Sequence, residues 1–149
     1  WIVNAGKQNV SLRTGASLVG HAYSFAMIRG GHLDLCVLGA FEVAENGDFA
    51  NWTLSLTDAV PAVGGAMDLA AGAKRLWIVM EHTSKDGKPK LKQRCSLPLT
   101  AVKAVKRVYT DLAVIDVTAK GFELVDKIAD LSFEDLQARP DAKPHRKAG

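Results

Sequence analysis

The chain has 149 residues, 48% of them apolar, 23% charged and 7% aromatic, with a formal net charge of +3; this composition excludes a disordered, collagenous or membrane-spanning chain. At this length folding typically buries about 68–70% of the unfolded surface, so a core forms without a disulfide or metal staple. The charge is local: Arg139, Lys143, Arg146 and Lys147, set against Asp141, account for all of it and leave a neutral body. That distribution speaks against a nucleic-acid binder, whose Lys and Arg would be interleaved with aromatics on the folded surface rather than gathered in a terminal run.

The expected organisation is one domain over residues 1–138 followed by a flexible, solvated basic tail over 139–149, which is Pro-broken and aperiodic. Cys36 and Cys95 stand far apart with no Cys-x-x-Cys, which fits a reducing, cytoplasmic home. No run of about 18–20 apolar residues exists, and the amino end lacks a secretory pattern. The chain opens on Trp1-Ile2-Val3 rather than Met, and processing or truncation upstream is the expectation.

In chain order, residues 9–12 read as a short strand. Residues 17–29 place Leu18, Ala22, Phe25 and Ala26 on one side of a helix that Gly30-Gly31 stops. Strands follow at 33–38 and 49–53, the first continuously apolar apart from Asp34. Small residues build a helix over 65–74, and 76–80 is again an apolar strand. Residues 100–107 are a third helix candidate. Strands at 108–109 and 113–117 lead through Thr118-Ala119-Lys120-Gly121 into a hairpin with 122–125, and Ser132 caps a last short helix to about Ala138. The class is α/β, with a mainly parallel sheet and helices on either side.

Among candidate sites, Val63-Gly64-Gly65-Ala66-Met67-Asp68 puts two glycines at a helix start. Backbone N–H groups there suit a phosphate or an oxyanion, and glycine admits close approach; a plain tight turn would read the same. Lys7 in Asn4-Ala5-Gly6-Lys7 belongs to no phosphate-binding fingerprint and reads as a surface charge. Arg29 suits the negative end of its helix. Glu81-His82-Thr83 follows an apolar strand at the end where open α/β sheets build sites. The histidines at 21, 32, 82 and 145 have no metal-ligand spacing, so no metal is expected, and a Gly-x-Ser-x-Gly elbow is absent.

Taken together, several ordered segments resemble the beta subunit of the 3-oxoacid CoA-transferase family. They are Asn4-Ala5-Gly6-Lys7, Ser24-Phe25-Ala26-Met27-Ile28-Arg29-Gly30-Gly31-His32, Val37-Leu38-Gly39-Ala40, Gly47-Asp48-Phe49-Ala50-Asn51-Trp52, Gly64-Gly65-Ala66-Met67-Asp68-Leu69, Met80-Glu81-His82-Thr83, Leu97-Pro98-Leu99-Thr100 and Thr110-Asp111-Leu112-Ala113-Val114. They run in family order from the first residues to about Leu136.

The resemblance implies a three-layer α/β/α fold, an alpha-subunit partner, and CoA as a transient substrate rather than a cofactor. The implied reaction moves CoA from succinyl-CoA to a 3-oxo acid through a glutamyl-CoA thioester. It assigns the Gly65 N–H to the oxyanion, and Lys7, Gly64 and Gly65 to CoA. The family nucleophile sits in a Ser-Glu-Asn-Gly motif upstream of the Asn-Ala-Gly-Lys segment, so the catalytic glutamate is expected outside this chain. Glu45-Asn46-Gly47 imitates that motif but falls where a turn belongs. Residues 61–70 and 107–114 look more like the bacterial 3-oxoadipate enzymes than the ketone-body enzymes. Acetoacetate is the alternative acceptor, and a non-catalytic acyl-CoA-binding module of the same fold is the alternative role.

Overall fold

The computed structural model describes residues 2–4, 6–55 and 64–146. Trp1, residues 61–63 ahead of the double glycine, and 147–149 of the expected tail lie outside them.

A six-stranded mixed sheet organises the chain. Its order is β1 (Cys36–Leu38), β4 (Leu76–Val79), β6 (Val105–Tyr109), β7 (Ala113–Thr118), β8 (Gly121–Lys127) and β9 (His145–Arg146). The pairs β1/β4 and β4/β6 are parallel, β6/β7 and β7/β8 antiparallel, and β8/β9 parallel again. A second sheet orders β3 (Phe49–Ala50), β2 (Glu42–Ala44) and β5 (Leu91–Lys92). Helices α1 (His21–Arg29), α2 (Ala66–Gly72) and α3 (Phe133–Gln137) complete an α/β fold. Among the described residues no helix is long and apolar enough to cross a membrane.

Register decides which side chains are covered. Cys36, Leu76, Ile78, Val108, Ile115 and Phe122 share the buried face of the large sheet. Val43, Phe49 and Leu91 of the small sheet, Ala70 of α2 and Leu136 of α3 pack into the same core. The opposite face carries Val37, Trp77, Val79, Tyr109 and Val114, and Val37 and Val79 are 51% and 54% exposed. The apolar runs at 33–38 and 76–80 are therefore covered on one side only by the described residues, and β1 is an edge strand. Cross-strand Arg107 donates to Asp116 through Nε and Nη2, the second at 2.9 Å, on that open face.

Helices α1 and α2 cross closely. A Cβ at Gly72 would lie 2.3 Å from the Ile28 carbonyl oxygen, so only glycine fits there. Gly31, with φ +77°, ends α1 as its sequence requires. Ser132 caps α3, accepting the Asp135 N–H at 3.0 Å.

Three expectations are corrected. The helix expected at 100–107 is absent: residues 105–109 form β6, in the middle of the sheet between β4 and β7. The Ala104 and Val105 N–H groups both reach the Gly47 carbonyl at 3.0 Å, so tertiary pairing overrides local spacing. Residues 9–12 form no strand; Asn9 makes one isolated bridge with Val3, and Val10 and Leu12 stay exposed.

The tail is not solvated from residue 139. Ala142 and Pro144 are buried, alternating with exposed Asp141 and Lys143, and His145–Arg146 extends the sheet as β9. Gln137 donates to the Pro144 carbonyl at 2.8 Å, Asp141 donates to the Leu91 carbonyl at 3.0 Å, and the Arg146 guanidinium lies 4.6 Å from the Phe133 ring centre. The basic composition concealed a two-residue alternation that buries every second side chain.

Candidate functional site

The parallel strands β1, β4 and β6 end together at Gly39-Ala40, Met80-Glu81-His82 and Thr110-Asp111, the end at which open α/β sheets hold ligands. Polar side chains lock these ends to one another. The Asn51 side-chain amide donates to the Gly39 carbonyl at 3.1 Å, and its carbonyl accepts the Thr100 hydroxyl at 2.8 Å. The Thr100 hydroxyl oxygen in turn accepts the Asn51 backbone N–H at 3.0 Å. The His82 N–H donates to Asp111 at 2.7 Å, and its Nδ1 meets the Thr110 hydroxyl at 3.0 Å. His82 is fully buried and its Nε2 has no partner among the described residues. Burial, followed by Arg139, lowers its pKa against the opposing pull of Asp111, which disfavours the charged ring.

The double glycine behaves as its two members require. Gly64 has φ +63°, a left-handed conformation that favours glycine. Gly65 precedes α2, and a Cβ there would stand 2.5 Å from Cζ of Phe25. The space that glycine vacates at 65 is thus taken by the ring of α1. Asp68 in the first turn of α2 accepts Nε of Arg29 at 2.8 Å and its terminal nitrogen at 2.9 Å. Arg29 stands in the last turn of α1, at the negative end of the helix as expected, and its bidentate pair with Asp68 lowers the Asp68 carboxyl pKa. It also joins the Ser24–His32 segment to the Gly64–Leu69 segment in space.

Lys7 is exposed in a turn closed by its N–H on the Asn4 carbonyl at 2.9 Å, with φ +60°. Among the described residues no hydrogen bond or ion pair connects its side chain to Gly64 or Gly65. His32 is exposed. Asn46-Gly47 makes the expected reversal, with Asn46 accepting the Asp48 N–H at 3.0 Å, while Glu45 beside it is half-buried rather than exposed. Both cysteines are free thiols. Burial, with help from Glu42 and Asp48, pushes the Cys95 thiol up to about 12.

Beyond the strand ends lies a cavity of about 380 Å³ lined by Gly39, Asn51, Met80 and Glu81. Phe41, Glu81 and Lys90 are shared with a larger cleft of about 700 Å³. Glu42 on its wall is 8% exposed and accepts the Ser96 N–H and hydroxyl, both at 2.7 Å, and the Leu97 N–H at 3.1 Å. Those bonds commit its carboxylate to holding the wall. Lysines 85, 88, 90 and 92 line the same cleft. Sequence reading passed over them, though the two-residue spacing of Lys88, Lys90 and Lys92 around buried Leu91 marks one face of an extended segment.

Residues 1–129 match the model of the coenzyme A transferase family. The chain belongs to that family. It is 51% identical over 136 residues to the B subunit of 3-oxoadipate CoA-transferase from Acinetobacter baylyi, covering 91% of this chain and 63% of that relative. It is 47% identical to the B subunit of the probable succinyl-CoA:3-ketoacid coenzyme A transferase from Bacillus subtilis, covering 95% of this chain and 65% of that protein. The chain thus spans just under two thirds of the length of these coenzyme A transferase relatives. Its fold matches an acyl-CoA transferase (YdiF) of Escherichia coli O157:H7 with a TM-score of 0.78 at 20% identity, over 97% of this chain and 32% of that one.

Proposed function

We propose that this chain is part of a CoA-transferase beta subunit that, with an alpha subunit, moves CoA from succinyl-CoA to 3-oxoadipate in the cytoplasm. The observation that carries the reading is the 51% identity to the Acinetobacter baylyi 3-oxoadipate enzyme over 91% of the chain. The ordered strand ends with their adjoining cavity support it as well.

In this reading a glutamate carboxylate outside these residues attacks the thioester carbonyl and expels CoA thiolate, leaving a mixed anhydride. The thiolate then attacks the glutamyl carbonyl, releasing succinate and leaving an enzyme thioester. The acceptor carboxylate reverses both steps. Each tetrahedral intermediate carries a negative oxygen, to which the Gly65 N–H donates. Gly64 and Gly65 lie along the bound thioester arm, and Lys7 attracts its phosphates. CoA is consumed and regenerated, so no resident cofactor is required.

The test is the intact mass of the complete beta subunit, together with its alpha partner, before and after succinyl-CoA. A CoA-sized gain removed by 3-oxoadipate is the expected result. Removal by acetoacetate alone would replace the acceptor with the one that the Bacillus subtilis relative's name indicates. Tight CoA binding with no adduct would overturn transfer in favour of a binding module of the same fold.

A further inference from the structure

The backbone ladder between β4 and β6 ends where the Met80 N–H donates to the Tyr109 carbonyl at 3.1 Å. Side chains carry the pairing two residues further. Asp111 accepts the His82 N–H at 2.7 Å, and the Thr110 hydroxyl meets Nδ1 of the His82 ring at 3.0 Å. Glu81 therefore stands between a backbone rung and a side-chain clamp. It is the one carboxylate among the residues lining the smaller cavity, and it also borders the larger cleft.

The bonds around Thr110 decide which nitrogen of His82 carries the proton. A hydroxyl offers one proton and two lone pairs. The Thr110 oxygen already accepts the Leu112 N–H at 3.2 Å and the Ala113 N–H at 3.0 Å. Its proton has two candidate acceptors, the Ala113 carbonyl at 3.1 Å and Nδ1 of His82 at 3.0 Å, and that carbonyl already accepts the Thr110 N–H at 2.9 Å. With both lone pairs engaged, the bond left to Nδ1 is one that it accepts, which puts the ring proton on Nε2. That N–H is buried and has no acceptor among the described residues. An unsatisfied buried polar atom is costly and rare, and an apolar side chain of similar volume would fill the position without that cost. The ring is kept for what its other nitrogen does.

Resting on the CoA-transferase reading, we propose that His82, as the neutral Nε2–H tautomer, is a positioning residue: held by Thr110 and Asp111, it fixes the end of β4 and so the place of the Glu81 carboxylate on the cavity wall. The Glu81 side chain makes no hydrogen bond or ion pair with any described residue, so its direction depends on the backbone that carries it. A charged ring would bring a further donor to a hydroxyl oxygen whose lone pairs are taken, and burial disfavours that form as well. The charged groups that act on the ring are Asp111 and Arg139.

The experiment uses the complete beta subunit in complex with its alpha partner. Long-range nitrogen–proton correlation of the labelled histidines at about pH 7 should show Nδ1 of His82 bare and Nε2 protonated; the reverse pattern, or a doubly protonated ring, would overturn the proposal. His82→Leu should lower kcat about tenfold, with KM changed less than about twofold and Tm no lower, whereas a merely structural role would move Tm and not kcat. His82→Asn, whose side-chain carbonyl also accepts a hydroxyl proton, should recover most of the loss. Glu81→Gln should slow turnover by a similar factor, and the His82→Leu, Glu81→Gln double variant should be no slower than the slower single one. Losses that multiply, or a His82→Leu complex that turns over normally, would each show that His82 does not act through Glu81 and overturn the inference. If His82→Leu fails to fold, Thr110→Val, with Thr110→Ser as its rescue, makes the same comparison. An unsubstituted complex that forms no CoA thioester would overturn the transferase reading and the role of Glu81 with it, while the nitrogen correlation would still read the tautomer.

Discussion

Gly72→Ala isolates the contact on which the two-helix layer depends. The added methyl would sit 2.3 Å from the Ile28 carbonyl oxygen, 2.7 Å from its carbonyl carbon and 3.0 Å from its Cγ2. Ordinary contact begins near 3.4 Å, so α1 must withdraw by roughly an ångström along its own backbone. Overpacking of this kind costs about 1–3 kcal/mol, against a gain of up to about 1 kcal/mol from replacing glycine in a helix. With the full gain subtracted, up to about 2 kcal/mol remains, which lowers Tm by up to about 8 °C for a chain of this size. Thermal unfolding followed by circular dichroism reads it directly. Ile28→Ala should not rescue the variant, because the nearest atoms are backbone. Gly65→Ala differs, since its methyl meets the Phe25 ring at 2.5 Å, and Phe25→Leu should recover part of the loss. A Gly72→Ala protein that melts at or above the unsubstituted one would refute the packing argument.

Three other outcomes follow from named groups. The folded-state pKa of His82 lies below its ordinary 6.5, chiefly through burial; the unfolded chain therefore binds the proton more readily, and stability is lost as pH falls from about 6.5 towards the folded value. Urea titrations at about pH 7.5 and pH 5 should show this loss, and an unchanged pH slope in His82→Gln would count against it. The Cys95 thiol, pushed up to about 12, should resist iodoacetamide at neutral pH in the folded protein and react in urea; native labelling at the rate of a free cysteine would contradict its burial. Val37 and Val79 on the open sheet face, 51% and 54% exposed, should drive self-association of the 149-residue chain. Val37→Thr with Val79→Thr should shift size-exclusion profiles towards the monomer, and identical profiles would show that this face is not the adhesive one.

How much of the site was legible varies by residue. Gly64 and Gly65 were visible as a pair, but the reason for Gly65 was not, because Phe25 lies forty residues away in sequence. The pairing of Arg29 with Asp68 was hidden for the same reason: helix-end electrostatics is a local argument, and a bidentate bond across two helices is not. His82 stood out by its place after an apolar strand, while its bonds to Thr110 and Asp111 depend on β4 and β6 being neighbours. The lysine row was present as a two-residue spacing, but its sense emerged only when Leu91 was found in the core.

By itself the sequence determined the class, the stops and the family. Gly30-Gly31, the Thr118–Gly121 turn and the Ser132 cap act over a few residues, where propensity and local hydrogen bonds suffice. Eight ordered motifs point to the family without reference to geometry. Only the tertiary structure decided that residues 105–109 are a central strand, that residues 141–146 pack as an extension of the sheet, and that one sheet face stays open. Each depends on which distant backbone offers its hydrogen bonds and which apolar surface remains to be covered, quantities that no local window of sequence contains.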